Sequence, residues 1–256
     1  LTGRVYIMLT KKPVPSLGGP DWFNPEPFFA MDVENWKANT PLNVGENADG
    51  MDGSPSSIGE GPWNAVAVFR NDNDLSRIAS EGGLYSDVAQ IEGDGSVAGV
   101  VEMPLNTRVS SRPWKPHKNL RFVEERSPLL SAFYGRDVLH GACVIVPDDY
   151  NPNRETPYPV VFWIGGFSSD HYGGRFMKSL FGVSDYDDQI CRVVLNAQFH
   201  GGHHVFADSA NTGPRMTALI SEFIPYLEKT FNVGGSSSHR YLAGHSSGGW
   251  TAMWLQ

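Results

Sequence analysis

Long hydrophobic runs are missing from this 256-residue chain. No apolar stretch approaches the ~18 residues that would suggest a bilayer-crossing helix, so no membrane partner is expected. Basic runs are missing as well. With 20 Lys+Arg against 28 Asp+Glu the formal charge is -8, and nothing offers the cationic footprint that a phosphate backbone requires, which sets nucleic acid aside as a partner. Cysteine is scarce: Cys143 and Cys191 each sit in an apolar, strand-like run, Ala142–Val146 and Ile190–Val194, where two small buried thiols are expected rather than a disulfide or a reactive cysteine. A leader peptide is not visible, but the chain begins at Leu1 and enters the strand-like Gly3–Leu9 almost at once, while Gln256 falls inside a helical segment. Both ends read as cut.

What is present divides into two patterns. Up to about residue 112 the chain alternates short strand-like runs with Gly, Pro, Asn and Asp clusters. The candidate strands are Arg4–Leu9, Phe28–Val33, Trp63–Phe69, Leu84–Ile91 and Ser96–Met103, and their spacing predicts a β-sandwich over residues 1–112. Asn43 to Glu60 has too little apolar content for an element and reads as a surface loop. Trp22, Phe23, Trp36 and Trp63 are expected in the core of this domain rather than on a carbohydrate platform. The run Asn71 to Asp74 is expected to be a solvated turn rather than a calcium loop, because it lacks the glycine and distal glutamate of an EF-hand.

Ser110 to Pro116 fits neither periodicity and marks the boundary, so the second domain is placed at 113–256. There, Leu139–Val146, Val160–Ile164, Arg192–Ala197 and Arg240–Ala243 are near-continuous apolar runs, as expected of a mostly parallel sheet covered on both faces. Between the last two, Met216, Leu219, Ile220, Phe223, Ile224, Leu227 and Phe231 form one helical stripe, predicting a helix over Arg215–Phe231 with a kink at Pro225. Strands alternating with helices give an α/β layer fold.

The chemistry concentrates where Arg240–Ala243 runs into Gly244-His245-Ser246-Ser247-Gly248-Gly249 and then into a helical segment. Strand, G-x-S-x-G, helix is the order that puts a serine on a sharp, strained turn with its hydroxyl exposed. Only Ser246 has glycines at both offsets. Ser246 is therefore the expected nucleophile, and the Ser247 amide, at the start of the helix, can point at a developing oxyanion. His245 is adjacent and is expected to line a wall rather than serve as base. Upstream, the apolar strand Val160–Ile164 ends in Gly165-Gly166-Phe167, the place where an α/β-hydrolase puts the second oxyanion amide; Phe167 is the first choice and Gly166 the second.

Tyr158–Phe167, His203–Asn211, Ile224–Glu228 and Gly244–Gly249 together resemble the Putative esterase family, with its esterase D, feruloyl esterase and enterochelin esterase branches, over roughly residues 120–256. The resemblance implies an α/β-hydrolase whose triad runs Ser, Asp/Glu, His along the chain, with the nucleophile at Ser246 and oxyanion amides near Phe167 and Ser247. It also implies that the β-rich front is an accessory domain of the kind some secreted members carry, and a secreted or periplasmic location. One departure is large: ten residues follow Ser246, and none is Asp, Glu or His. The expectation is that this chain alone has negligible esterase activity and that a version extended by roughly a hundred residues is active.

Among the upstream histidines, His203 and His204 are expected to line the substrate pocket with His245. No metal site is expected on them, since Asp208 is the one nearby carboxylate; Asp208 and Asn211 are expected to order the loop before the helix. No cofactor is expected. The leading function is hydrolysis of a small-molecule or carbohydrate ester through an acyl-enzyme on Ser246. Acyl transfer on the same fold and a non-catalytic binding module with a degenerate hydrolase domain are the alternatives.

Overall fold

The computed structural model describes the whole chain except Val14, Ser16, Pro20, Trp22, Asp52, Asn73, 93–98 and 182–188. It forms two compact units, Leu1–Arg112 and Pro113–Gln256.

The first unit is built on β1 (Gly3–Thr10), β2 (Phe28–Val33), β3 (Asp49–Gly50), β4 (Trp63–Arg70), β5 (Leu84–Tyr85), β6 (Ala89–Ile91) and β7 (Thr107–Arg108). These strands make one antiparallel sheet of order β3-β2-β1-β4-β5-β7, with β6 also on β4. The two-sheet sandwich expected from strand spacing is thus a single sheet among the described residues. The reason lies in β4. Its residues are buried on both faces: Val66 and Val68 pack with Met8 and Ile78 on one side, while Ala65 and Phe69 join the clusters of Leu9, Phe29 and Val5 on the other. Irregular segments supply the cover that a second sheet was expected to give. The Leu84–Ile91 run splits into β5 and β6, described residues 99–103 of the expected Ser96–Met103 strand are not strand, and the Asn43 to Glu60 loop carries β3. Trp63 is buried and Trp36 packs edge-on to Phe69, whereas Phe23 is fully exposed and Trp22 lies outside the described residues. Asp72 accepts from the amides of Asp74 and Leu75, and Asn73 of the expected turn lies outside the described residues.

The second unit runs β8 (Leu120–Arg126), α1 (Pro128–Tyr134), β9 (Leu139–Ile145), β10 (Val160–Ile164), α2 (Gly174–Phe181), β11 (Cys191–Leu195), the short pair β12 (Asp208–Ser209) and β13 (Gly213–Pro214), α3 (Arg215–Ala218), α4 (Ile224–Phe231), β14 (Arg240–Gly244) and α5 (Ser247–Trp254). Its five-stranded sheet has the order β14-β10-β11-β9-β8. The sheet is mostly parallel, as expected, with one exception: β10 is parallel to β11 and β14, and β9 alone runs against its neighbours β11 and β8, so four of the five strands share one direction. A strand buried on both faces reads as a continuous apolar run whatever its direction, so its composition carries no information on polarity.

Side chains alternate cleanly between the two faces. Val144, Val160, Phe162, Ile164, Val193 and Leu195 meet Leu219, Phe223 and Leu227 on one face, each large apolar side chain contributing roughly 1.5–3 kcal/mol by burial. Cys143, Ile145 and Val194 meet Met177 of α2 on the other. Both thiols are free and fully buried, and burial pushes each up to about 12.

The predicted helix is one helical run, with a π turn, Leu219–Phe223, between α3 and α4. Ile224 N–H bonds to Leu219 O, five residues back. That widened turn lies directly before Pro225, where the ordinary helical bond is missing in any case and the ring needs room; the disruption expected at Pro225 takes the form of a π turn. The run ends on Asn232 in the left-handed region (φ 48°). Glu228 then receives the Gly235 amide at 3.0 Å and both guanidinium arms of Arg240 at 2.6 and 2.8 Å, which ties the helix end to the start of β14.

Candidate active site

Parallel pairing decides what lies beside the elbow, the strand-to-helix turn Gly244–Gly248. Ile164 is in register with Gly244, and His245 N–H extends the ladder by donating to Ile164 O at 3.1 Å. Ser246 therefore stands at the carboxyl end of the sheet, next to the loop that leaves β10. Its backbone has φ 55° and ψ -127°, a conformation that costs a residue with a Cβ on the order of 1–3 kcal/mol. The chain then turns directly into α5, with Gly248 N–H donating to His245 O and Gly249 N–H to Ser246 O, each at 2.9 Å.

The flanking glycines are required by space. A Cβ on Gly244 would lie 2.2 Å from Gly248 O, and one on Gly248 would lie 2.1 Å from Ile164 O and 2.3 Å from Gly165 O. Backbone packs on backbone there, so β10, β14 and α5 close into one tight junction. Ser246 is exposed, and its hydroxyl has no hydrogen-bond partner among the described residues. Ser247, the first residue of α5, keeps its amide in the turn whose N–H groups have no intrahelical acceptor.

The sequence-predicted oxyanion loop is brought to the same place. A Cβ built on Gly166 would sit 3.1 Å from Ser246 Cβ and 3.5 Å from His245 Nδ1. The loop is a tight turn closed by Ser169 N–H donating to Gly166 O at 3.0 Å, with Ser168 in the left-handed region (φ 61°). Phe167, at its tip, is half exposed.

The histidines separate. His245 is exposed beside Gly166. Both ring nitrogens of His203 are buried without a hydrogen bond of normal geometry among the described residues; burial lowers its pKa, and the nearby Gly165 carbonyl opposes that shift. His204 is in the interior: its Nδ1 accepts from Phe206 N–H at 3.1 Å, and burial first, then Arg215, holds its pKa well below the ordinary value, so it is a neutral ring in the core. Asp208 accepts from the amides of Met216 and Thr217 and from the Thr217 hydroxyl, at 2.7, 3.1 and 2.6 Å, which orders the start of α3 as its residue type led one to expect. Among the described residues no group of three His, Cys, Asp or Glu is arranged to hold a metal ion, and no helix is long and apolar enough to cross a membrane.

Sequence reasoning missed the segment behind the loop. Gln198, just past β11, is buried and its Nε2 donates to Ser168 O; Gly202 O accepts from Ser168 N–H at 3.2 Å. The available signal was their place at the carboxyl edge of the sheet.

Residues 140–256 match the family described as "Putative esterase". That stretch contains the elbow, the β10 loop and the helical run between them. Esterase MT1326 of Mycobacterium tuberculosis is 29% identical over 116 residues, covering 44% of this chain and 25% of the relative. The chain thus spans about a quarter of the length of the curated relative it matches. Among solved structures it is similar to the fluorophosphonate-binding serine hydrolase FphF of Staphylococcus aureus (20% identity, TM-score 0.41, 51% of this chain and 48% of that one). It is also similar to an S-formylglutathione hydrolase from Agrobacterium tumefaciens (18%, TM-score 0.42, 55% and 54%).

Proposed function

We propose that the second unit carries the nucleophile and oxyanion hole of a serine carboxylic ester hydrolase of the α/β-hydrolase type. The observation that carries this reading is the backbone of Ser246, φ 55° and ψ -127°, at a strand-to-helix turn with Gly166 against its Cβ. A serine is held at that cost where its exposed hydroxyl is needed. In the proposed reaction Ser246 Oγ attacks the ester carbonyl, its proton passes to a histidine base, and the tetrahedral oxyanion is held by the Phe167 and Ser247 amides, with Gly166 the alternative donor. The alkoxide leaves with a proton, and water then cleaves the acyl-serine. His203 and His245 border the substrate, while His204 supports the loop from the interior. The first unit is an accessory domain in this reading.

The base is what this stretch of chain does not supply. Ser246 Oγ has no partner among the described residues, and no Asp, Glu or His follows it here. A polypeptide that supplies an acid and a histidine after Ser246 is expected to hydrolyse a p-nitrophenyl ester, and the 256-residue chain to be slower by on the order of 10⁶ in kcat. Normal turnover by the 256-residue chain that is lost in Ser246→Ala refutes the missing base. Turnover by the complete polypeptide that survives Ser246→Ala refutes the nucleophile.

A further inference from the structure

The loop that presents the Phe167 amide is held from behind by one side chain. Gln198 follows β11 at the carboxyl edge of the sheet and is 4% exposed; its Nε2 donates to the carbonyl of Ser168, the residue after Phe167. A backbone carbonyl can only accept, so the amide group must present its NH2 there. This orientation leaves Gln198 Oε1 buried with no hydrogen-bond partner among the described residues. An apolar side chain at 198 would fill the interior without that orphaned acceptor, so packing alone does not account for a glutamine. The position of its one bond does.

Ser168 is held in the left-handed region and is gripped on both sides, its carbonyl by Gln198 and its N–H by Gly202 O at 3.2 Å. The Phe167 ring completes the clamp: it fills the space a Gly202 Cβ would need, with Cε2 and Cζ at 2.0 Å from that point. Gly202 itself has φ 99° and is fixed by donating to Phe199 O at 2.8 Å. The Gly165–Ser169 turn is therefore fastened at its far side to the 198–202 segment, while its near side faces Ser246.

We infer that Gln198 is a positioning residue of the oxyanion hole, setting the direction of the Phe167 amide through the Ser168 carbonyl. The inference rests on the serine hydrolase reading above. An oxyanion donor must be aimed before charge develops, and a shift of about 1 Å in such a group can cost on the order of a hundredfold in rate.

Two measurements test it. In the 256-residue chain, Gln198→Leu is expected to speed hydrogen exchange of the Phe167–Ser169 amides at least about tenfold, with the strands of both units unchanged. Gln198→Glu keeps the shape. A carboxylate cannot donate, so the loop loses protection where the new carboxyl is ionised and regains it as the pH falls through that group's burial-raised pKa, where the protonated carboxyl can donate to Ser168 O. Wild-type protection of the loop in Gln198→Leu overturns the inference. In a polypeptide that also supplies the acid and histidine, Gln198→Leu is expected to lower kcat about 10- to 100-fold with KM within about twofold. Wild-type kcat in that variant, with Ser246→Ala inactive, overturns the inference and leaves the nucleophile standing. Hydrolysis that survives Ser246→Ala overturns the nucleophile instead, and with it the oxyanion hole that Gln198 is argued to position.

Discussion

The backbone of Ser246 can be tested without any catalysis, by comparing Ser246→Gly with Ser246→Ala in the 256-residue chain. At an ordinary site the glycine variant would be the weaker of the two by about 0.5–1 kcal/mol, because glycine loses more backbone freedom on folding. At φ 55° and ψ -127° the balance reverses. Both variants remove a hydroxyl that has no partner among the described residues, so the lost side-chain contact is the same in both. Glycine also removes the Cβ that is held at this φ and ψ and releases strain on the order of 1–3 kcal/mol. Setting the entropy against that release leaves Ser246→Gly more stable than Ser246→Ala by about 1 kcal/mol. In a unit of this size that is about 2–4 °C in melting temperature. Urea unfolding followed by tryptophan fluorescence and calorimetry reads it. A glycine variant less stable than the alanine variant refutes the strained elbow.

Two further outcomes follow from the same geometry. Gly248→Ala would set a Cβ 2.1 and 2.3 Å from two backbone oxygens, so it is expected to cost about 3 kcal/mol or more, the upper end for overpacking. Gly173→Ala, which meets nothing within 4 Å, is the neutral control, and equal melting temperatures would refute the tight junction. Stability is also expected to fall on acidification, because burial depresses the pKa of His140, His203 and His204. The unfolded chain binds protons below about pH 6.5 while the folded rings stay neutral, so the stability present at pH 7.5 is lost as the pH falls toward 5. For the fully buried His204 this is about 1.4 kcal/mol per pH unit. A melting temperature that stays level or rises from pH 7.5 to 5 contradicts it.

Some of this molecule can be read from local chemistry. The glycines two before and two after Ser246 select one serine of the pair, because the clash of a Cβ with the junction backbone is a property of spacing along the chain. The apolar stripe from Met216 to Phe231, except Ile220, which is exposed in the π turn, and the burial of Cys143 and Cys191 were legible for the same reason: periodicity and hydrophobicity are local signals. Pro225 was legible as a disruption but not as a π turn, since that choice depends on how Leu219, Phe223 and Leu227 must all reach the sheet.

Local chemistry thus settled the register of the turn at Ser246, the apolar elements and the residue types at the edge of the sheet. Tertiary structure alone decided the antiparallel direction of β9, the single sheet of the first unit and the retreat of His204 into the core. It alone placed Gln198 behind Ser168, 30 residues away along the chain. Direction, cover and long-range hydrogen bonding are set by which segments meet in space, and an apolar run or a lone amide carries no record of its partner.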